Sequence, residues 1–262
     1  ASRPSTTGLP ADAPGDRVAA VVTRPPSDTC RSGTFRRMRA SRGSSPARWA
    51  LAAVAVVVAA GCQVMPGTTY SGDGTYYGGG SLGNCSFDQN LGVLYAAMNA
   101  TDYEGARTCG AHVQVTGPDG TVTVQIVDQC PECAKGDIDL SPEAFDLIAD
   151  PVDGRVPITW KLVSAPGAGN VQYVLKEGSN QWWLAIQPRR HRNLVTTLEV
   201  QVDGAWVALK RESYNYFVAP SGLGVGPFTV RLTDVHGEQL VHSGITLTPT
   251  AVQETSSQFA AH

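Results

Sequence analysis

The chain reads as mainly β, with a small closed β-barrel followed by a β-sandwich. Three observations lead there. Apolar residues alternate in short runs between Gly and Pro turns, helical periodicity is confined to brief patches, and a Pro/Gly/Ala run at residues 165–169 separates two parts of different charge.

The N-terminal 62 residues stand apart from both modules. They hold nine arginines and no lysine against Asp12, Asp16 and Asp28, and are rich in Pro, Ser, Ala and Gly. Met38 opens a basic stretch, and the apolar run Trp49–Ala60 follows, too short to span a bilayer. Residues 38–62 are therefore expected to be a signal peptide. Ala59-Ala60-Gly61-Cys62 resembles a bacterial lipobox with Cys62 as the acylated residue, although Ala59 stands where Leu is usual. Residues 1–37 are expected to be a non-translated or disordered extension.

Charge excludes one class of partner. The full chain has net charge −3, but residues 63–262 carry 11 Lys and Arg against 20 Asp and Glu, leaving −9. Nucleic acid demands basic surface and is not an expected ligand. Arg189-Arg190-His191-Arg192 reads as a solvated loop rather than a contact for an acidic polymer.

Residues 68–164 form the expected barrel. Thr68–Ser81 is Gly/Tyr/Ser-rich and suits an irregular strand bordering a groove; Leu91–Met98 reads as a short helical patch. Val113 and Val115, then Gly117-Pro118-Asp119-Gly120, then Val122, Val124 and Ile126 predict a hairpin with one buried face. Ser141 followed by Pro142 predicts a helix start, with Pro142–Ile148 helical. Val156, Ile158, Trp160 and Leu162 alternate as a closing strand.

Beyond the linker, residues 170–250 are expected to be the sandwich. Val200 and Val202, the turn Asp203-Gly204, and Trp206 and Ala208 predict one hairpin; Phe228, Val230 and Leu232 predict another strand, turned at His236-Gly237. Trp160 and Trp206 both fit alternating core positions. The tail, 251–262, reads as loose.

Cys85, Cys109, Cys130 and Cys133 form an even set, which in an exported protein implies two disulfides with three possible pairings. A Cys130–Cys133 bridge would constrain little unfolded chain, so Cys85–Cys133 with Cys109–Cys130 is the expected pairing. Zinc would need two further ligands and no His lies close in sequence, so no metal or other cofactor is expected. A redox site would want a βαβ context that is missing.

Two stretches carry chemistry. Val127–Ser141 packs Asp128, Asp137 and Asp139 beside two cysteines, and reads as a polar groove with working carboxylates. Lys176-Glu177-Gly178, Trp182-Trp183 and Tyr214-Asn215-Tyr216-Phe217 read as an aromatic platform for flat sugar faces. Together they predict a polysaccharide ligand.

The residues from about Thr68 to Pro249 resemble bacterial expansins. Thr69-Tyr70-Ser71-Gly72, Val127-Asp128, Asp139-Leu140-Ser141-Pro142, Lys176-Glu177-Gly178, Trp182-Trp183 and Tyr214-Asn215 carry the resemblance, in that order. It implies a six-stranded double-psi β-barrel joined to an immunoglobulin-like carbohydrate-binding β-sandwich. One departure is Cys130, where the best-known bacterial members have Tyr. By resemblance, Asp139 is the retained acid, Asp128 lies in the same groove, and Thr69 and Ser71 are the hydroxyl pair near the acid. A hydrolase divides the work between two carboxyl groups; the resemblance implies that the second is missing and that wall glycans are loosened without cleavage. It also implies that Trp182, Trp183 and Tyr214 share one platform, bordered by Lys176. Adjacent strand residues point to opposite faces, so this requires a bulge or loop, for which Gly178-Ser179-Asn180 is suited.

The expected partners are cellulose, xylan or peptidoglycan, met by a secreted or extracytoplasmic monomer with membrane contact only through a lipid on Cys62. The rival readings are a peptidoglycan lytic transglycosylase or weak endoglucanase using Asp139 as acid, and an inert adhesion module.

Overall fold

The computed structural model describes residues 63–78, 83–87 and 92–262. The expected extension, signal peptide and Cys62 lie outside the described residues.

Six strands close a barrel: β1 (Tyr70–Tyr76), β2 (Tyr95–Asn99), β3 (His112–Thr116), β4 (Thr121–Cys130), β5 (Ile138–Leu140) and β6 (Val156–Val163), in the order β1-β5-β2-β4-β3-β6. β1 runs parallel to β5 and β2 parallel to β4, while the other neighbours are antiparallel. The mainly β prediction and the double-psi barrel hold. Val113, Val115, Val122, Val124, Ile126, Val156, Ile158 and Trp160 all point inward, as their alternation requires.

The β4–β5 connection crosses β1 at almost backbone distance. A Cβ on Gly136, whose φ is +90°, would meet the Ser71 carbonyl oxygen at 2.1 Å. The indole N–H of Trp160 donates to the Gly136 carbonyl at 2.8 Å and secures the crossing, with Tyr70 stacked on the same indole at 4.3 Å.

Two sheets follow. Strands β7 (Gln172–Leu175), β8 (Leu184–Arg189), β11 (Lys210–Arg211), β12 (Phe217–Ala219) and β15 (Val252–Glu254) form one, ordered β11-β12-β8-β7-β15. β9 (Val195–Val202), β10 (Ala205–Ala208), β13 (Phe228–Asp234) and β14 (Gln239–Ile245) form the other, ordered β10-β9-β13-β14. Leu175, Leu184, Ile186 and Phe217 from the first sheet pack with Leu198, Val200, Val230 and Leu232 from the second into one core.

Several expectations are corrected. Residues 95–99 are strand β2, not helix; Tyr95-Ala96-Ala97-Met98 is held between β4 and β5, and barrel pairing overrides the helix preference of Ala. A one-turn helix, α1 (Ala100–Tyr103), comes only after it, capped by the Asn99 side chain accepting from the Asp102 N–H at 3.0 Å. The second helix, α2 (Pro142–Phe145), starts where predicted, with the Ser141 hydroxyl accepting from the Ala144 N–H at 3.3 Å, but ends three residues early. The tail is not loose. β15 pairs with β7, and Phe259 is wholly buried in the sandwich core, so the second module runs past residue 250.

Trp206 is half-buried on the outer face of its sheet, opposite Gln201, with the Arg231 guanidinium 4.4 Å above its ring. Only Trp160 of the two is core. The cluster at 189–192 is not a solvated loop either: Arg189 and His191 are buried, and Arg192 donates to the Phe259 carbonyl at 2.9 Å. Arg189 Nε donates to Gln187 Oε1 at 2.6 Å.

The disulfides are Cys85–Cys109 and Cys130–Cys133, not the expected pairing. The turn after β4 brings the Cα atoms of Cys130 and Cys133 to 5.4 Å, a normal bridging distance. The small loop entropy of that bridge limits its stabilising effect and does not prevent its formation.

Candidate functional site: an acid groove beside an aromatic shelf

In the barrel, parallel pairing of β1 with β5 sets Thr75 opposite Asp139. The Thr75 hydroxyl donates to Asp139 Oδ1 at 2.5 Å. Thr69 and Ser71, the expected partners, do not meet the acid. Ser71 has the right strand parity but pairs with Thr159 of β6, four residues back along β1 from Thr75, and Thr69 precedes the strand. At about 3.3 Å per residue that places Ser71 roughly 13 Å from the position needed. Strand period therefore finds the correct face, and only the register finds the residue.

Burial pushes the Asp139 carboxyl above its usual range; Glu132 adds to the rise, while the Thr75 hydrogen bond and the charge of Arg155 oppose it. A half-buried acid that keeps its proton more readily than usual is suited to donating a hydrogen bond. Asp128 is engaged differently. Its Oδ1 accepts from the backbone N–H groups of Asn84 at 2.6 Å and Gln129 at 2.8 Å. Asp137 accepts from the N–H groups of Asp73 at 2.8 Å and Ala134 at 3.2 Å. Both carboxylates shape loops around Asp139.

Tyr77, just after β1, lies near Asp139 and Asp128. Its backbone N–H donates to the Leu140 carbonyl at 2.9 Å and its ring meets Tyr95 edge-on at 5.9 Å. The hydroxyl is buried with no hydrogen-bond partner among the described residues. Burial, with Asp128, Tyr95 and Asp139 nearby, pushes the phenol up. Tyr77 follows the end of β1, so strand alternation does not fix its direction. Cys130, buried and bridged to Cys133, brings no aromatic ring here.

The aromatic shelf lies on the outer face of the five-stranded sheet. Trp183 and Tyr214 pack on Ala185, Tyr216 and Val218, with Tyr214 and Tyr216 ring centres 6.1 Å apart. Lys176 holds its ammonium 5.8 Å from the Tyr216 ring centre. Of the predicted stretch Tyr214–Phe217, Tyr216 is buried and forms the floor, whereas Phe217 turns into the sandwich core.

The required backbone irregularity is a tight turn. Asn180 and Trp183 bridge each other, the Asn180 side-chain oxygen accepts from the Trp182 N–H at 2.9 Å, and β8 begins only at Leu184. Trp182 therefore sits at a turn tip, 70% exposed, and neither indole enters the sandwich interior. Gly222 permits this, since a Cβ there would lie 2.1 Å from the Gln181 carbonyl oxygen.

Shelf and barrel are joined along one strand face. The side chains of β8 that alternate with the core residues Leu184 and Ile186 include Ala185 under the shelf and then Gln187, whose amide donates to the Cys85 carbonyl at 3.0 Å. From Trp183 to Gln187 is about 13 Å along a strand. Beside it, Tyr103 Oη donates to the Ser213 carbonyl at 3.0 Å, Asn215 donates to Cys85 O at 3.2 Å, and Arg211 donates to the Ala106 and Arg107 carbonyls at 2.9 Å. His112 and His191 are tucked into the same seam, each pushed down to about 4 chiefly by burial.

Fold and site together define a two-module protein in which a double-psi barrel meets an aromatic-faced β-sandwich. A "Lytic transglycolase" family model matches residues 70–160, the barrel. Expansin-YoaJ of Bacillus subtilis is 40% identical over 174 residues, covering 65% of this chain and 73% of that protein. Expansin-like protein 1 of Dictyostelium discoideum is 29% identical over 201 residues, covering 71% and 70%. The crystal structure of the unliganded Clavibacter michiganensis expansin matches with a TM-score of 0.69 at 37% identity, covering 74% of this chain and all of that one. A mutant of the same expansin, crystallised in complex with cellohexaose, matches equally well. The chain belongs to the expansin family.

Proposed function

We propose that this protein binds cellulose-type polysaccharide along the shelf and the groove, and loosens wall glycans without hydrolysing them. The observation that carries this reading is the pair of neighbouring indoles outside the core, one exposed at a turn tip and one seated with Tyr214 on a buried aromatic floor. Flat rings presented in this way offer apolar area to pyranose faces. The cellohexaose complex of the Clavibacter expansin supports the same ligand class.

The non-hydrolytic reading is supported by how the groove carboxylates are used. Asp139 stands with Thr75, while Asp128 and Asp137 each hold backbone N–H groups and are poorly placed to serve as a mobile base. The protein's place of action is extracytoplasmic in this reading, with lipidation at Cys62, a monomeric state, and xylan or peptidoglycan as other ligands left to experiment. The decisive measurement combines paper weakening, reducing-end release from cellulose and muropeptide release from peptidoglycan. Weakening lost in Asp139→Ala with no glycan release from either polymer supports the proposal. Release that disappears in Asp139→Ala would make the protein a glycan-cleaving enzyme instead.

A further inference from the structure

We propose that Asn84 is a positioning residue that aligns groove and shelf, so that one long glycan, and not a short one, engages both. The idea rests on the function proposed above and adds to it a dependence on ligand length.

Asn84 lies in the loop before β2 and is exposed. Its backbone N–H holds Asp128 Oδ1 at 2.6 Å, at the groove. Its side-chain Nδ2 faces three acceptors: Gln129 Oε1 at 3.1 Å, Tyr103 Oη at 3.2 Å and the Ser213 carbonyl at 3.3 Å. Ser213 immediately precedes Tyr214 of the shelf. One residue therefore contacts the groove carboxylate with its main chain and the shelf loop with its side chain. The next residue strengthens the junction: Cys85 is tied to Cys109, and its carbonyl accepts from both Gln187 and Asn215.

Two weak sites on a rigid body act on one ligand as linked sites, and the gain depends on their alignment. A glycan long enough to reach from Trp183 past the seam to Asp139 gains from that alignment; one that covers only the shelf does not. Asn84→Ala keeps the backbone bond to Asp128 and removes the side-chain bond to Ser213. A bond worth about 1 kcal/mol favours the aligned arrangement about fivefold over a misaligned one, so a ligand that needs alignment loses at most that factor in affinity when the bond is removed.

The test is calorimetric titration of the full chain with cellotriose and cellohexaose, in wild type, Asn84→Ala and Trp183→Ala. Asn84→Asp, of the same shape but without the donor, serves as a second variant, and thermal unfolding is recorded for each. The expected result is a loss of up to about fivefold for cellohexaose in both Asn84 variants, with cellotriose affinity unchanged and Tm lower by only a few degrees, whereas Trp183→Ala weakens both ligands. Equal change at both lengths, or none at either, overturns the proposal. If wild type binds cellohexaose no better than cellotriose, the proposal fails while shelf binding stands. If wild type binds neither, the proposed function fails as well.

Discussion

Trp182 and Trp183 are neighbours in sequence, yet they should respond very differently to truncation. Trp182 is 70% exposed at a turn tip. Of the roughly 200 Å² an indole side chain can bury, about 140 Å² is then available, and one face contacting a sugar ring uses about half of it. At about 25–30 cal/mol per Å², the ~70 Å² covered is worth about 2 kcal/mol, or about 25-fold in affinity. Trp182→Ala should therefore weaken adsorption to insoluble cellulose by that order while leaving Tm within about a degree, because little of the folded protein rests on this ring. Trp183 is half-buried against Ala185, Tyr216 and Val218, so Trp183→Ala should lower both adsorption and Tm. Depletion isotherms at two salt concentrations, paired with thermal unfolding, test this; stacking should survive moderate salt, which screens charges and not apolar contact. Unchanged adsorption in Trp182→Ala, or a Tm loss as large as that of Trp183→Ala, would refute the assignment of Trp182 as a free binding ring.

The groove and the seam make separate predictions about pH. Burial raises the Asp139 carboxyl, so its contribution to stability is present below the ordinary carboxylate range and is lost as pH rises through the raised value. Asp139→Asn should then raise Tm at pH 7, match wild type near pH 3, and abolish paper weakening; a lower Tm at pH 7 would count against a desolvated acid. The seam histidines run the other way. His112 and His191, pushed down from 6.5 to about 4, contribute stability that is present above pH 6.5 and lost as pH falls through about 4. At about 1.36 kcal/mol per pH unit the limit is about 3 kcal/mol for each imidazole. Urea unfolding at pH 7 and 4.5 should show this loss, reduced in His112→Gln; identical losses in both proteins would show that the buried imidazoles do not drive it.

Much of the architecture is local in origin and was legible. Val113 to Ile126 alternates because one face meets the barrel core, and Ser141-Pro142 starts a helix because hydroxyl and ring suit its first turn. Helical Ala-rich residues at 95–99 misled because their strand exists only through pairing with β4 and β5 on either side. The tail misled in a similar way, since polar composition suggests disorder while a single residue, Phe259, fills a core position. Trp206 alternates correctly but on the outer face, where Arg231 covers it.

By its residue pattern alone, the chain determined that it is mainly β in two modules, that Asp139 lies in a polar stretch, and that Trp182, Trp183 and Tyr214 fall in aromatic segments. These depend on side-chain type and on short-range period. Only the tertiary structure decided that Thr75 and not Ser71 holds the acid, that Cys85 bridges Cys109, and that Ser213 lies beside Asn84. Each of those pairs joins segments distant in sequence or in register, and their distance is set by where strands close a barrel and where two modules meet, which no local preference encodes.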